Sequence, residues 1–214
     1  MTKKKVILSI CALVLVCVIS ISGTLAYLKV TTQTPVVNTF VAAGGGSLLE
    51  ATGSFALYES KANKVGNVYV LDTAKHVTNN SYEVLPGSSV PKDPTIKVTG
   101  KNDVAAYLYV EIVDNTGANL TWNIAKGWTL LDGVNGKNGG AVYVYNTTLA
   151  NPDGTEGGAT YTITVLEDDK VTIGNADDLK LGETGKTMTF FAYLAQAVIN
   201  DAVADAETVF TTAF

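Results

Sequence analysis

The sequence predicts an all-β fold, an antiparallel jelly-roll-like β-sandwich with a short C-terminal helix, and three observations carry that prediction. Short apolar and β-branched runs recur at intervals of roughly 8–15 residues with Gly- and Asn-rich punctuation, the rhythm of antiparallel strands rather than of a parallel α/β sheet. One run, residues 104–113, has a wholly apolar parity: Val104, Ala106, Leu108, Val110 and Ile112. That two-residue period is the mark of a strand with one face in a core. Helical spacing appears only near the end, where Val198, Ile199, Ala202, Val203, Ala206, Val209 and Phe210 recur at three and four residues.

The chain opens with a positive Thr2-Lys3-Lys4-Lys5, an uninterrupted run of apolar and small residues over 6–21, and Thr24-Leu25-Ala26, small at the two positions a signal peptidase reads. Residues 1–26 are therefore expected to be a signal peptide cut after Ala26, with signal peptidase as a partner during export. The competing reading is a retained membrane anchor, since the apolar stretch extended to Leu28 reaches the roughly 20 residues that span a bilayer. Ile10 and Val16 precede the two cysteines, Cys11 and Cys17, where a lipoprotein cleavage box has a small residue. Lipid attachment is not expected.

Both cysteines fall in that leader, so the mature chain of 188 residues makes neither disulfides nor thiolate metal sites and must be held by an ordinary core. All 15 basic residues are lysines; removal of the three in the leader leaves 12 against 20 acidic side chains, a formal charge of −8. Scattered single lysines under a net negative charge exclude nucleic acid as a partner, which demands a clustered basic surface.

Residues 27–46 combine a Thr/Val-rich segment, 27–40, with a Gly-rich linker, and residues 47–214 are expected to form a single sandwich domain. Within it the strand-like runs are 54–59, 67–72, 95–99, 104–113, 120–124, 128–131, 141–146, 160–166, 170–173 and 187–195. The runs 95–99 and 104–113, separated by Gly100-Lys101-Asn102-Asp103, read as an antiparallel pair in the middle of the sandwich. The second parity of the longer run, Ala105, Tyr107, Tyr109, Glu111 and Val113, reads as an amphipathic face for water or a partner.

No catalytic constellation is visible, and no catalytic, cofactor-binding or metal-ligating residue is assigned. His76 is the only histidine, so a zinc site of two or three imidazoles and a Ser-His-Asp arrangement with a choice of base are both excluded. Residues 182–187, Gly-Glu-Thr-Gly-Lys-Thr, echo a phosphate-binding loop, but Lys180 stands where that loop has glycine and a strand is expected to follow, which makes a turn of it. Carboxylates at Asp114, Asp153, Glu167, Asp168, Asp169, Asp177 and Asp178 lie in loops open to calcium, although none fits a calcium-loop spacing and all suit turns. Trp122, Trp128, Tyr143 and Tyr145 read either as sheet and core aromatics or as a sugar-stacking platform.

Residues 23–28, GTLAYL, then 37–42, VNTFVA, and the Gly-rich exit resemble leaders handled by the SipW-type signal peptidase of Gram-positive bacteria. The body, through Leu85-Pro86-Gly87, residues 94–100 and residues 105–112, resembles the TasA/camelysin family. The resemblance covers residues 3–44 and 85–113. It implies a secreted, extracellular or cell-surface jelly-roll-like protein that assembles into fibres or a biofilm matrix, with itself or a related matrix protein as partner. Some members of that family are described as metallopeptidases, but no catalytic residue carries over onto this chain. A non-enzymatic structural protein is therefore the expected function, with a carbohydrate-binding module and, less so, a camelysin-type metallopeptidase as alternatives. The segment expected to assemble is 27–40, whose Val30, Val36, Val37 and Phe40 would fill pockets on an acceptor. Any attachment to a wall is expected to be noncovalent, and membrane contact only through an uncleaved leader.

Overall fold

The computed structural model describes residues 29–31, 54–84, 86–100, 105–116, 120–149, 159–174, 187–199 and 202–214. In chain order the strands are β1 (Lys29–Thr31), β2 (Ser54–Val65), β3 (Val68–Val77), β4 (Ser89–Pro91), β5 (Thr95–Gly100), β6 (Ala106–Asp114) and β7 (Leu120–Thr121). They continue as β8 (Trp128–Asn135), β9 (Ala141–Tyr145), β10 (Ala159–Thr164), β11 (Lys170–Ile173), β12 (Met188–Gln196), β13 (Val198–Ile199) and β14 (Ala202–Val203). One helix, α1 (Ala206–Ala213), follows. The fold is an all-β antiparallel sandwich with a short C-terminal helix.

Its two main sheets run β1-β12-β6-β9-β8 and β10-β5-β2-β3, with a small sheet β4-β11-β7 and a hairpin β13-β14 beside them. The core lies where the first two sheets face each other. Phe55 and Leu57 of β2, Ile96 and Val98 of β5, Leu108, Val110 and Ile112 of β6, and Phe190 and Leu194 of β12 are all nearly or fully buried in one cluster. Burying side chains of this size contributes about 1.5–3 kcal/mol each, which is what selects this register over one slipped by a residue.

Three sequence expectations are corrected. The runs 95–99 and 104–113 are not paired. β5 lies between β10 and β2, whereas β6 lies between β12 and β9 in the other sheet. Both strands carry their apolar parity into the same interior, so they meet face to face across the core instead of edge to edge. The helical tail is also shorter than its spacing: Val198–Ile199 and Ala202–Val203 form a hairpin, and the helix starts only after Asp205, whose side chain caps it by accepting from the Thr208 amide at 2.9 Å.

The second face of β6, expected to meet water or a partner, is covered instead. Tyr109 and Glu111 are both 0% exposed. Helix α1 lays Val209, Phe210 and Ala213 over Tyr109, Tyr193, Val142 and Val144, making a second, smaller core behind the five-stranded sheet. The Tyr109 hydroxyl donates to the Ala206 carbonyl at 2.9 Å and that of Tyr107 to the Ala204 carbonyl at 3.1 Å, so the phenols that looked like a wet face tie the helix down.

Candidate functional site

Of the residues expected to assemble, Val30 lies in β1 opposite Leu194, in the register Lys29 to Ala195 and Thr31 to Tyr193. β1 thus forms the outer edge of the five-stranded sheet on its own subunit. Ala26, Val36, Val37 and Phe40, the leader and the Gly-rich linker lie outside the described residues. At the far edge of the other sheet, β3 is mostly exposed, and around the Gly66-Asn67 turn Val65, Val68 and Val70 are 59%, 61% and 52% exposed. Gly66, at φ 63°, supplies the left-handed backbone that a two-residue hairpin turn requires.

The aromatic residues sit mainly in packing roles. Trp128 is 6% exposed, packs edge-on to Tyr145 at 5.3 Å, and donates its indole N–H to the Thr164 carbonyl at 2.9 Å. Trp122 is half-buried against the main core and donates to Asp114 Oδ2 at 2.8 Å. His76 is exposed and stacked on Tyr58 with ring centroids 3.9 Å apart.

The loop carboxylates do not converge: among the described residues no group of three or more His, Cys, Asp or Glu is placed to hold a metal ion. Asp114 accepts from the Thr116 amide at 2.9 Å, from the Thr116 hydroxyl and from Trp122. Burial pushes its carboxyl up, but these hydrogen bonds outweigh burial and hold it below the usual aspartate range. Asp169 is the opposite case. Burial, then the charges of Asp93 and Asp168, raise its carboxyl; Oδ1 is buried with no hydrogen-bond partner, and Asp168 and Asp169 both have left-handed backbones at φ 56° and 48°. Asp153, Asp177 and Asp178 lie outside the described residues, as does the 182–187 loop apart from Thr187, which leads into β12 as a strand.

Sequence reasoning missed two buried carboxylate clusters. The first surrounds Glu111, whose oxygens accept from the Asn138 amide at 2.7 Å, the Gly140 amide at 2.9 Å, Asn138 Nδ2 at 3.0 Å and the Tyr193 hydroxyl. Burial, then the hydrogen bond to Glu111 and its charge, raise the Tyr193 phenol well above the ordinary tyrosine range. This cluster docks the turn between β8 and β9 onto β6 and β12. A Cβ on Gly136 would lie 2.3 Å from Glu111 Cδ, and one on Gly140 2.5 Å from the Ile112 carbonyl oxygen, so both positions are reserved for glycine by close approach.

The second cluster joins three elements around Glu59, which is 1% exposed on β2. Lys92, just beyond β4, places Nζ 2.5 Å from Glu59 Oε1, with only 13% of its side chain exposed and Nζ 5.2 Å above the Phe190 ring. Asn80, just beyond β3, donates from Nδ2 to Glu59 Oε2 at 3.2 Å and to the Ser60 carbonyl at 2.8 Å, while its Oδ1 accepts from the Ala62 amide at 2.8 Å. The ladder between β2 and β3 shifts register between Ser60 and Lys61, and Asn80 satisfies the backbone groups that this bulge releases. The parity of Phe55, Leu57 and Glu59 was the available signal, since it puts the glutamate on the core face of its strand.

No family model, curated protein or solved structure significantly matches the chain. Among the described residues no helix is long and apolar enough to cross a membrane.

Proposed function

We propose that the chain is an exported, non-enzymatic structural protein that self-assembles into a fibre or a biofilm or cell-surface matrix, alone or with a related matrix protein. The observation that supports this reading is β1. Three residues on the outer edge of a five-stranded sheet, separated from β2 by residues 32–53, form a short strand paired in register with β12. Such pairing recognises an extended backbone in the right register, not its chain of origin, so the same edge of β12 accepts this strand from a neighbouring copy. Head-to-tail exchange is heterologous and grows a filament instead of a closed ring. A few backbone hydrogen bonds, each worth about 0.5–1.5 kcal/mol net, hold the strand only weakly. Specificity then falls to Val30, Val36, Val37 and Phe40. Cleavage after Ala26 would free the segment to exchange.

Electron microscopy of the purified mature protein over days tests assembly, and persistent monomers across pH and salt would overturn it. Deletion of residues 27–40 separates the mechanism from the function. The truncated protein should keep β-type circular dichroism and stay monomeric; growth as fast as the intact protein would rule out strand exchange.

A further inference from the structure

We infer that Lys92 and Asn80 form an intramolecular amide cross-link, with Glu59 as the proton carrier. The three groups meet in one place: the amine and the carboxamide each bond to a different oxygen of a single carboxylate, 2.5 Å and 3.2 Å away. Lysine is a nucleophile once an adjacent base removes its proton, and a buried carboxylate hydrogen-bonded to Nζ is that base. The electrophile is held as well. The Ala62 amide, 2.8 Å from Asn80 Oδ1, fixes which end of the carboxamide is oxygen and polarises its carbonyl toward the charge that develops on attack.

The step balances without a co-reactant. Glu59 takes a proton from the Lys92 ammonium, the freed lone pair on Nζ bonds to Asn80 Cγ, and the bond from Cγ to Nδ2 breaks. Nζ loses two protons in all, both handed to Nδ2 through Glu59, so ammonium departs, one amide N–H remains and the carboxylate is regenerated. Near-complete burial of Glu59, the shielded Lys92 and the Phe190 ring beneath Nζ keep water from the base and the amine, and Asn80 itself is partly buried beside them. The product staples the end of β3 to the end of β4 across the segment linking the four-stranded and the small sheet. It needs no partner chain and is independent of the assembly reading.

Digestion of the purified full chain, denatured, with a protease that cuts after glutamate tests this directly, because Glu83 lies between the two residues. The expected product is a two-chain species joining peptide 60–83 to peptide 84–111, lighter than their sum by one ammonia. Asn80→Ala and Lys92→Arg should each release the two peptides separately. Glu59→Gln, which also removes the cut after residue 59, should release peptides 51–83 and 84–111 separately while circular dichroism still shows the β fold; if that variant does not fold, the wild-type digest decides alone, since the link survives denaturation. Separate peptides of unaltered mass from folded wild-type protein would overturn the inference. So would ammonia loss confined to peptide 60–83, which marks a cyclised asparagine and no link.

Discussion

Tyr193 donates its hydroxyl to the carboxylate of Glu111 between two residues that are each 0% exposed. Among the described residues, Glu111 is held by four neutral donors, two of them backbone amides of the turn between β8 and β9. A charged acceptor of this kind is worth more than a neutral one, about 1.5–3 kcal/mol per hydrogen bond. Tyr193→Phe should therefore destabilise by about that much, which corresponds to a fall in Tm of roughly 3–12 °C for a chain of this size. Glu111→Gln should cost at least as much, because its amide nitrogen must face an N–H it cannot accept from. In a double-mutant cycle by urea denaturation the two effects should be strongly non-additive, and simple additivity would show that the phenol and the carboxylate do not act together.

The glycines of that turn make a sharper comparison. Gly133 and Gly140 are both in or beside the β8–β9 hairpin, but a Cβ at Gly133 meets nothing, whereas one at Gly140 meets the Ile112 backbone at 2.5 Å and Glu111 Cγ at 2.9 Å. Gly133→Ala carries only the strain of its φ of 80°, about 1–3 kcal/mol. Gly140→Ala forces the turn off the sheet, and the resulting overpacking and broken hydrogen bonds should place it about 2 kcal/mol or more below Gly133→Ala. Equal losses in denaturant would mean that the turn is not seated on Glu111.

Helix α1 is the cover that turned a supposed wet face into a core. Phe210 packs its ring tilted against Tyr109 and Phe214 and edge-on to Tyr193, with ring centroids 5.1, 5.3 and 5.6 Å apart. Phe210→Ala should cost about 3–5 kcal/mol and collapse the near-ultraviolet circular dichroism of the buried tyrosines. Thr211→Ala, on the exposed side of the same helix, should leave both close to wild type.

What was legible in the sequence follows from how far each signal reaches. The strand at residues 170–173 was found to the residue because alternating Lys170, Val171, Thr172 and Ile173 carry their burial locally. β6 was equally clear as a strand, but its pairing was not. Turn chemistry at Gly100 marks a change of direction without saying whether the next strand lies beside the last or across from it. Glu111 and Tyr109 looked solvent-facing because their cover comes from far along the chain: the Tyr109 hydroxyl bonds to a carbonyl 97 positions away. Glu59 was more accessible to inference, since it shares a parity with Phe55 and Leu57. Its partners were not, because Asn80 and Lys92 sit in connections whose convergence depends on the whole β2–β3–β4 path.

Asp169 and Asp114 sit in opposite environments. Asp169 has its carboxyl raised by burial and by Asp93 and Asp168, so the folded state disfavours its charge; the penalty is present at neutral pH and disappears as pH falls through the raised value. Asp169→Asn removes that charge and keeps a side chain that tolerates the left-handed backbone, so it should stabilise at neutral pH by about 0.5 kcal/mol after solvent screening is discounted. The advantage should shrink in acid. Asp114, despite burial, is lowered by its bonds to Thr116 and Trp122, so its contribution is present above the ordinary aspartate value and is lost as pH falls through the depressed one. Asp114→Asn should therefore be less stable than wild type at neutral pH, and that deficit too should close in acid. Thermal unfolding of both variants and wild type from pH 8 into acid below the ordinary aspartate range reads the two difference curves, which must have opposite signs and narrow toward the acid end. A stabilising Asp114→Asn, or an Asp169→Asn effect independent of pH, would contradict the electrostatic account of these loops.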